Sequence, residues 1–154
     1  MTTNDFWQKF LAFANLPSDT AYYDCFYFGH TEELAAELSE LVLTGKKKAT
    51  ASSLPAIEFE NGKIPQVGDY NIVTDFKGEP QCIIRTTDVT IMPFNELTYD
   101  IVKREGEDDS LESWQEGHRR AFEADGREAG FKFTETMPVV FEDFEVVFTN
   151  LRKG

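Results

Sequence analysis

The sequence predicts a mixed α+β domain, a small and partly closed β-barrel with helices packed outside it. Two observations favour this class. Amphipathic helix patterns lie near the beginning of the chain and again after residue 95, whereas the middle and the end have strand patterns. Helices and strands do not alternate singly as they do in a doubly wound parallel sheet, so short strands that close on themselves fit the pattern better.

Two helices are predicted in the first third of the chain. Residues 4–14 carry aromatic and aliphatic side chains at spacings of three and four, which is typical of an amphipathic helix. Thr31 is a good N-cap for a second helix, and Gly45 provides its stop. The small and polar segment 49–53 follows, and it predicts a strand that a ligand can approach closely.

Strand patterns dominate the middle and the end of the chain. Residues 69–74 predict one strand, and a turn at Lys77-Gly78 leads into a longer strand over residues 81–92. Residues 138–148 are partly apolar on both faces, which is typical of a strand in the interior of a sheet.

Two further helices are predicted between these strands. Asn95 is expected to cap a helix that runs through Val102. Ser110 is expected to cap the next helix, whose inner face carries Leu111, Trp114, His118 and Phe122.

The composition suits one soluble core. The chain has 154 residues, of which 41% are hydrophobic, so we expect a single domain over residues 1–154. A net charge of −13 excludes a protein that coats long nucleic acid unspecifically, because phosphates repel it, but it permits one local basic pocket. Residues 1–10 lack the pattern of a secretion signal, and no run approaches the roughly 18 apolar residues of a membrane helix. We therefore expect a cytoplasmic protein with no membrane partner.

The cysteines and histidines do not predict a metal site. Cys25 and Cys82 lie far apart in a chain without a secretion signal, so we expect reduced, buried thiols. Only two histidines occur, and no paired-cysteine motif accompanies them. Phosphate-loop and dinucleotide fingerprints are absent from the sequence, so no cofactor is predicted.

A run of three lysines is the first candidate for chemistry. Lys46, Lys47 and Lys48 follow a helix end, where lysines commonly form a solvated turn beside the negative end of the helix dipole. The alternative is that one lysine turns inward beside Thr50 and binds an anion or acts as a base. Lys48 and Thr50 share a face of a regular strand, so Lys47 meets Thr50 only from a bulge or from the turn before the strand.

The second candidate is an acidic loop. Residues 96–128 hold 11 acidic and 5 basic side chains, which is consistent with a solvated loop leading into a helix. Gly106 lies between Glu105 and Glu107, and a glycine there permits a turn that directs both carboxylates at one place. A third ligand is missing for a magnesium or zinc site.

Trp114 and His118 lie one helical turn apart on the following helix. A histidine on a partly buried helix face commonly serves packing, although a contact to ligand is the alternative. The tryptophan is more typical of a core than of a platform on which bases stack.

The two clusters carry recognisable motifs in a fixed order. Gly45-x-Lys47-x-x-Thr50 comes first, and the later motif is Glu105-Gly106-Glu107-Asp108-x-Ser110-Leu111-x-x-Trp114-x-x-x-His118. In this order and spacing they resemble the ASCH domain family of the PUA-like superfamily, in its long-form bacterial branch. The resemblance covers about residues 26–148 and implies a PUA-like β-barrel, with the N-terminal helix outside that core.

The resemblance also implies a function directed at RNA or nucleosides. One short bacterial branch of the family consists of amidohydrolases that remove the acyl group from N4-acylated cytidine with a lysine, a threonine and a glutamate. Carried over, these catalytic residues fall on Lys47, Thr50 and Glu107, with Glu105 as the alternative glutamate. The expected ligand-binding residues are Gly45, Ser52, Glu105, Trp114 and His118.

Three functions remain open at the level of sequence. An amidohydrolase could use Lys47 as a base, or it could use a charged Lys47 to stabilise the oxyanion with Glu107 as the base. A non-catalytic module could bind a nucleoside or an RNA end. A ribonuclease would require His118 and Lys47 to converge. The sequence does not decide whether the protein is an enzyme, and it leaves the oligomeric state open.

Overall fold

A computed structural model describes residues 1–60 and 62–149. In chain order, the elements are α1 (Thr3–Ala14), β1 (Asp24–Phe26), α2 (Glu32–Leu43), β2 (Ala49–Ser53), α3 (Leu54–Glu60), β3 (Tyr70–Thr74), β4 (Pro80–Pro93), α4 (Tyr99–Val102), α5 (Leu111–Ala129) and β5 (Pro138–Thr149). Short 3₁₀ turns at Phe94–Glu96 and Lys103–Glu105 flank α4. The mixed α+β class is therefore confirmed.

The five strands form one sheet in the order β1-β3-β4-β5-β2. β1 lies parallel to β3, whereas the β3–β4 and β2–β5 pairs are antiparallel. β5 has a neighbour on each side, as expected from its two apolar faces. No helix in the described parts of the chain is long and apolar enough to cross a membrane.

The described residues divide into two compact units, and the first comprises residues 1–46, 67–87 and 144–149. Helix α1 contributes its aromatic face to one core cluster there, with Phe6 and Trp7 almost fully buried. Helix α2 contributes Leu38 and Val42 to a second cluster. Cys82 is buried and Cys25 is only half-buried, and both are free thiols.

The second unit comprises residues 47–60, 62–66 and 88–143. Its core contains Trp114 and Phe122 of α5, which pack with Phe94, Phe141 and Ala49. The aromatic stripe predicted for α5 is therefore a core face. Every charged group of the candidate site described below lies in this unit.

Three elements differ from the sequence prediction, and the first is the three-residue strand β1, which no sequence pattern predicted. Helix α3 was not expected, because its seven residues are too short to show a helical period. The predicted cap at Asn95 is wrong, since α4 begins at Tyr99 with Thr98 as its N-cap. The backbone N–H of Phe94 donates to Met137 O and that of Asn95 to Glu135 O, so long-range hydrogen bonds hold this segment in a tight turn.

The single-domain prediction over residues 1–154 stays a prediction. Residue 61 and residues 150–154 of that range lie outside the described residues.

Candidate functional site

Lys47 is the buried member of the lysine run. Its side chain is 2% exposed, whereas Lys46 and Lys48 on either side are exposed. The residue lies in the turn before β2, and its Nζ donates a hydrogen bond to the carbonyl oxygen of Ala49 at 2.8 Å. The backbone N–H of Lys48 donates to Arg104 O at 3.0 Å, which ties this turn to the segment that leads into the acidic loop.

The ammonium of Lys47 meets both glutamates of the Glu-Gly-Glu loop. Its Nζ lies 2.5 Å from Glu107 Oε2, a residue 60 positions later in the chain, and 3.7 Å from Glu105 Oε2. The Glu105 side chain is 3% exposed and the Glu107 side chain is 24% exposed. Glu105 therefore forms the floor of the cluster, and Glu107 is its more accessible end.

A left-handed glycine directs the two carboxylates. Gly106 has φ 73°, a conformation that costs a glycine little, and its N–H donates to Lys103 O at 3.0 Å. The turn lets Glu105 and Glu107 approach the same ammonium from adjacent positions. The carboxylate convergence expected from the sequence is present.

Helix α5 supplies the other two partners of Glu105. Trp114 Nε1 donates to Glu105 Oε1 at 3.0 Å, and His118 Nε2 lies 3.3 Å from the same oxygen. The indole and imidazole rings stack at 4.1 Å between centroids with an interplanar angle of 17°. Ser110 caps the helix by accepting a hydrogen bond from Ser113 N, which fixes the start of the element that carries both rings.

The charged groups shift one another's pKa. Burial would raise the pKa of Glu105, but the hydrogen bond from His118 and the charges of Lys47 and His118 outweigh it and hold this pKa below its ordinary value. Burial dominates for Glu107 and raises its pKa despite the charge of Lys47. Burial opposes the charged form of His118, yet the hydrogen bond and charge of Glu105 raise its pKa overall. The two glutamates therefore differ: Glu105 remains ionised, and Glu107 accepts a proton more readily.

Five predicted site residues come together in this cluster: Lys47, Glu105, Glu107, Trp114 and His118. Thr50 and Ser52 are half-buried on β2, opposite Glu142 and Val140 of β5. They alternate with Ala49 and Ala51, which pack in the core, so they lie on the other face of the strand. Gly45 ends α2 with φ 81°.

An arginine–aspartate pair beside the cluster was missed by sequence reasoning. Arg104 Nη1 lies 3.3 Å from Asp143 Oδ1 of β5, and its guanidinium stacks over the Phe141 ring at 5.3 Å. Asp143 is the register partner of Ala49, the residue whose carbonyl accepts from Lys47. The pair braces the segment before Glu105 against the sheet. No local pattern could have revealed it, because the contact depends on strand register.

The cluster provides no clear metal site. Within residues 1–60 and 62–149, no three histidine, cysteine or acidic side chains are grouped so that they could hold a metal ion. The positive charge between Glu105 and Glu107 comes instead from the Lys47 ammonium. Chemically, the arrangement can stabilise a developing negative charge and exchange a proton through Glu107.

Comparisons with known proteins identify the family. A family model of the ASCH domain matches residues 24–148. The chain belongs to the ASCH domain family. The matched range nearly coincides with the 26–148 core outlined by the sequence motifs.

Two solved structures resemble this ASCH domain protein closely. A protein from Enterococcus faecalis V583 shares 36% sequence identity, with 94% of this chain and 87% of that chain covered and a TM-score of 0.86. An ASCH domain from Lactobacillus crispatus JV V101 shares 32% identity, with 96% of each chain covered and a TM-score of 0.82. The PUA-like fold of the family is therefore confirmed. No functionally curated protein matches the chain.

Proposed function

We propose that this ASCH domain protein binds a nucleoside or an RNA end and hydrolyses an N4-acyl amide of the cytidine type. The observation that carries the proposal is the buried Lys47 ammonium, 2.5 Å from the Glu107 carboxylate. A lysine and a glutamate brought together from distant parts of the chain are two of the three groups that the amidohydrolase branch implies. The third group, Thr50, lies on β2 with its side chain on the face opposite Ala49 and Ala51, so the proposed mechanism uses water as the attacking group.

The surroundings of Lys47 support a charged role. Two carboxylates and one carbonyl oxygen surround Nζ, and all three groups accept hydrogen bonds or attract positive charge. A lysine held in this way stabilises the oxyanion of a tetrahedral intermediate and does not remove a proton. This favours the second of the two assignments that the sequence left open.

Glu107 then serves as the general base. The raised pKa of Glu107 makes its carboxylate a better proton acceptor. Its side chain is also more accessible to solvent than that of Glu105. Glu107 takes a proton from a water molecule as the oxygen of that water bonds to the acyl carbon. The C–N bond then breaks, and the proton passes from Glu107 to the leaving N4 nitrogen, so that the acyl group leaves as a carboxylic acid.

Hydrolysis of N4-acetylcytidine by purified protein tests the proposal. We expect turnover by the wild type, and a loss of about 10²–10⁴-fold in kcat for Glu107→Gln because the general base is removed. Asp109→Asn is the matched control, since Asp109 is an exposed acid of the same loop. A wild type that binds the nucleoside without turnover would identify a binding module, and equal rates for both variants would remove Glu107 from the mechanism.

The lysine run supplies a second matched pair. Lys47→Ala should abolish turnover, whereas Lys48→Ala should retain it, because only the first lysine is buried against the carboxylates. Circular dichroism of both variants shows whether a loss of turnover is due to the missing ammonium or to a protein that has not folded.

One observation keeps ribonuclease activity as a second candidate. Lys47 and His118 converge on Glu105, with Nζ 3.7 Å from Oε2 and Nε2 3.3 Å from Oε1. An imidazole and an ammonium together are suitable for cleaving a phosphodiester. Incubation with a short labelled RNA tests this candidate, and binding that weakens steeply with salt would indicate contacts to several phosphates.

A further inference from the structure

Both ring nitrogens of His118 face hydrogen-bond acceptors. Nδ1 lies 2.9 Å from the backbone carbonyl oxygen of Trp114, one turn earlier in α5, and Nε2 lies 3.3 Å from Glu105 Oε1. Neither a carbonyl oxygen nor an ionised carboxylate can donate a proton. The ring can satisfy both partners only when both nitrogens carry hydrogen, which makes His118 an imidazolium.

Glu105 therefore lies between two cations. Its Oε1 accepts a hydrogen bond from the indole N–H of Trp114 and lies beside Nε2 of the His118 ring. Its Oε2 faces the ammonium of Lys47. A carboxylate with both oxygens engaged, and with 3% of its side chain exposed, has little freedom to rotate. Any change in one cation is passed to the other through this side chain.

We propose that Glu105 is the positioning residue of the site: it holds the Lys47 ammonium at the reaction centre only while His118 is doubly protonated. The inference rests on the proposed amide hydrolysis. When His118 loses a proton, the ring loses its positive charge, and its attraction for Glu105 Oε1 weakens. The carboxylate then shifts, and Lys47 loses its fixed partner.

The direction of the pH dependence follows from the surrounding charges. Burial disfavours the charged form of His118, but Glu105 and Glu107 from the acidic loop and the backbone carbonyl of Trp114 favour it and raise its pKa overall, and the nearby Lys47 ammonium binds the same Glu105 carboxylate. The imidazolium therefore persists above the ordinary histidine value of about 6.5, and turnover is lost as pH rises through the higher value. Replacing Glu105 by a neutral residue should move this loss to lower pH.

Nitrogen and carbon NMR of the histidine rings tests the charge state directly in the wild type. The chain has two histidines, and the exposed His30 serves as the internal reference. At neutral pH we expect His118 to show the shifts of a ring with both nitrogens protonated, and to titrate at higher pH in the wild type than in Glu105→Gln. Glu116→Gln removes an exposed carboxylate from the same helix and should leave the titration unchanged. A neutral His118 in the wild type at pH 7 overturns the proposal.

The rate profile separates this inference from the proposed function. For N4-acetylcytidine we expect a loss of about 10²-fold in kcat for Glu105→Gln, with KM little changed, because the reacting groups are misplaced while binding surfaces remain. His118→Gln tests the same link without removing Glu105. Because this variant has no imidazole to titrate, its kcat should not fall as the pH rises. If the wild type shows no turnover, the proposed function fails. If the wild type turns over and Glu105→Gln matches Glu116→Gln, only the positioning role fails.

Discussion

Two groups of ion pairs in the second unit differ in burial more than in distance. Arg119 of α5 binds Glu135 through two hydrogen bonds of 2.8 and 2.9 Å, with side chains 39% and 49% exposed. Lys47 binds Glu107 at 2.5 Å and lies 3.7 Å from Glu105, yet its side chain is 2% exposed. Bond length alone would not separate the two groups.

Solvent decides what each group can do. Water screens the Arg119–Glu135 pair, so its good geometry contributes little to stability. The hydrogen bond from Arg119 lowers the pKa of Glu135, but that carboxylate stays in water and cannot be aimed at a ligand. Around Lys47 the same attraction acts with little screening, because this side chain is buried. Burial makes the second group a candidate for catalysis.

Removing Lys47 should give the largest loss of stability. Lys47→Met leaves the buried Glu105 with one cation instead of two, and we expect the free energy of unfolding to fall by about 3–5 kcal/mol. Lys48→Met should change it by less than about 0.5 kcal/mol, because that side chain is exposed. Urea denaturation of both variants makes the measurement. Equal midpoints would show that Lys47 is solvated in solution.

The second-largest expected effect is a difference in stability between Glu105→Gln and Glu107→Gln. Glu105 has a lowered pKa, so its ionised form stabilises the fold, and Glu105→Gln should cost about 3 kcal/mol at pH 7. Glu107 has a raised pKa, so its ionised form does not favour folding, and Glu107→Gln should leave stability nearly unchanged while activity falls. As pH decreases through the lowered pKa of Glu105, the gap between the variants should close. Denaturation series at several acid pH values test this, and a reversed order of the variants would contradict the assigned roles.

His118 should produce a smaller effect that depends on pH. Its pKa is raised in the folded state, so its contribution is complete below the unfolded value of about 6.5 and is lost as pH rises through the folded value. The stability difference between wild type and His118→Gln should therefore shrink from neutral to alkaline pH. Thermal unfolding in a buffer series measures it. A difference that grows with pH would mean that His118 is neutral when folded.

The exposed pair should give the smallest effect. Arg119→Ala should leave the denaturation midpoint within experimental scatter, because water already solvates both partners. The result is cleanest when Arg119→Ala and Lys47→Met are measured side by side at low and high salt. A salt-dependent loss in Arg119→Ala that matches the loss in Lys47→Met would break the contrast between the two groups.

Local patterns predicted much of the fold. The caps at Thr31 and Ser110 and the aromatic stripe of α5 depend on neighbours within one turn, and they were read correctly. The cap at Asn95 was wrong because hydrogen bonds to Glu135 and Met137, about 40 residues away, hold that segment. Hydrogen bonds to backbone groups that are distant in sequence cannot be predicted from the residues around Asn95.

The site was predictable only in part. Spacing allowed Lys47 to meet Thr50 only from a bulge or from the turn before the strand. Lys47 lies in that turn, since β2 begins at Ala49, but the Thr50 side chain lies on the face of β2 opposite Ala49 and Ala51. The partnership of Lys47 with Glu107 came from the family motifs, since no local rule joins them. That Glu105 is the more buried and more connected glutamate could not be known before the fold placed Trp114 and His118 against it.

The long separation between Lys47 and Glu107 has a consequence for folding kinetics. Glu107 lies 60 positions after Lys47 in the chain, so the chain must close a large loop before their attraction acts. We expect the cluster to form after the rate-limiting step, and Lys47→Met to accelerate unfolding while leaving the refolding rate nearly unchanged. Stopped-flow chevrons of the variant and the wild type measure both rates, and slower refolding would contradict this order of events. The cluster would then set the lifetime of the native molecule more than the speed at which it assembles.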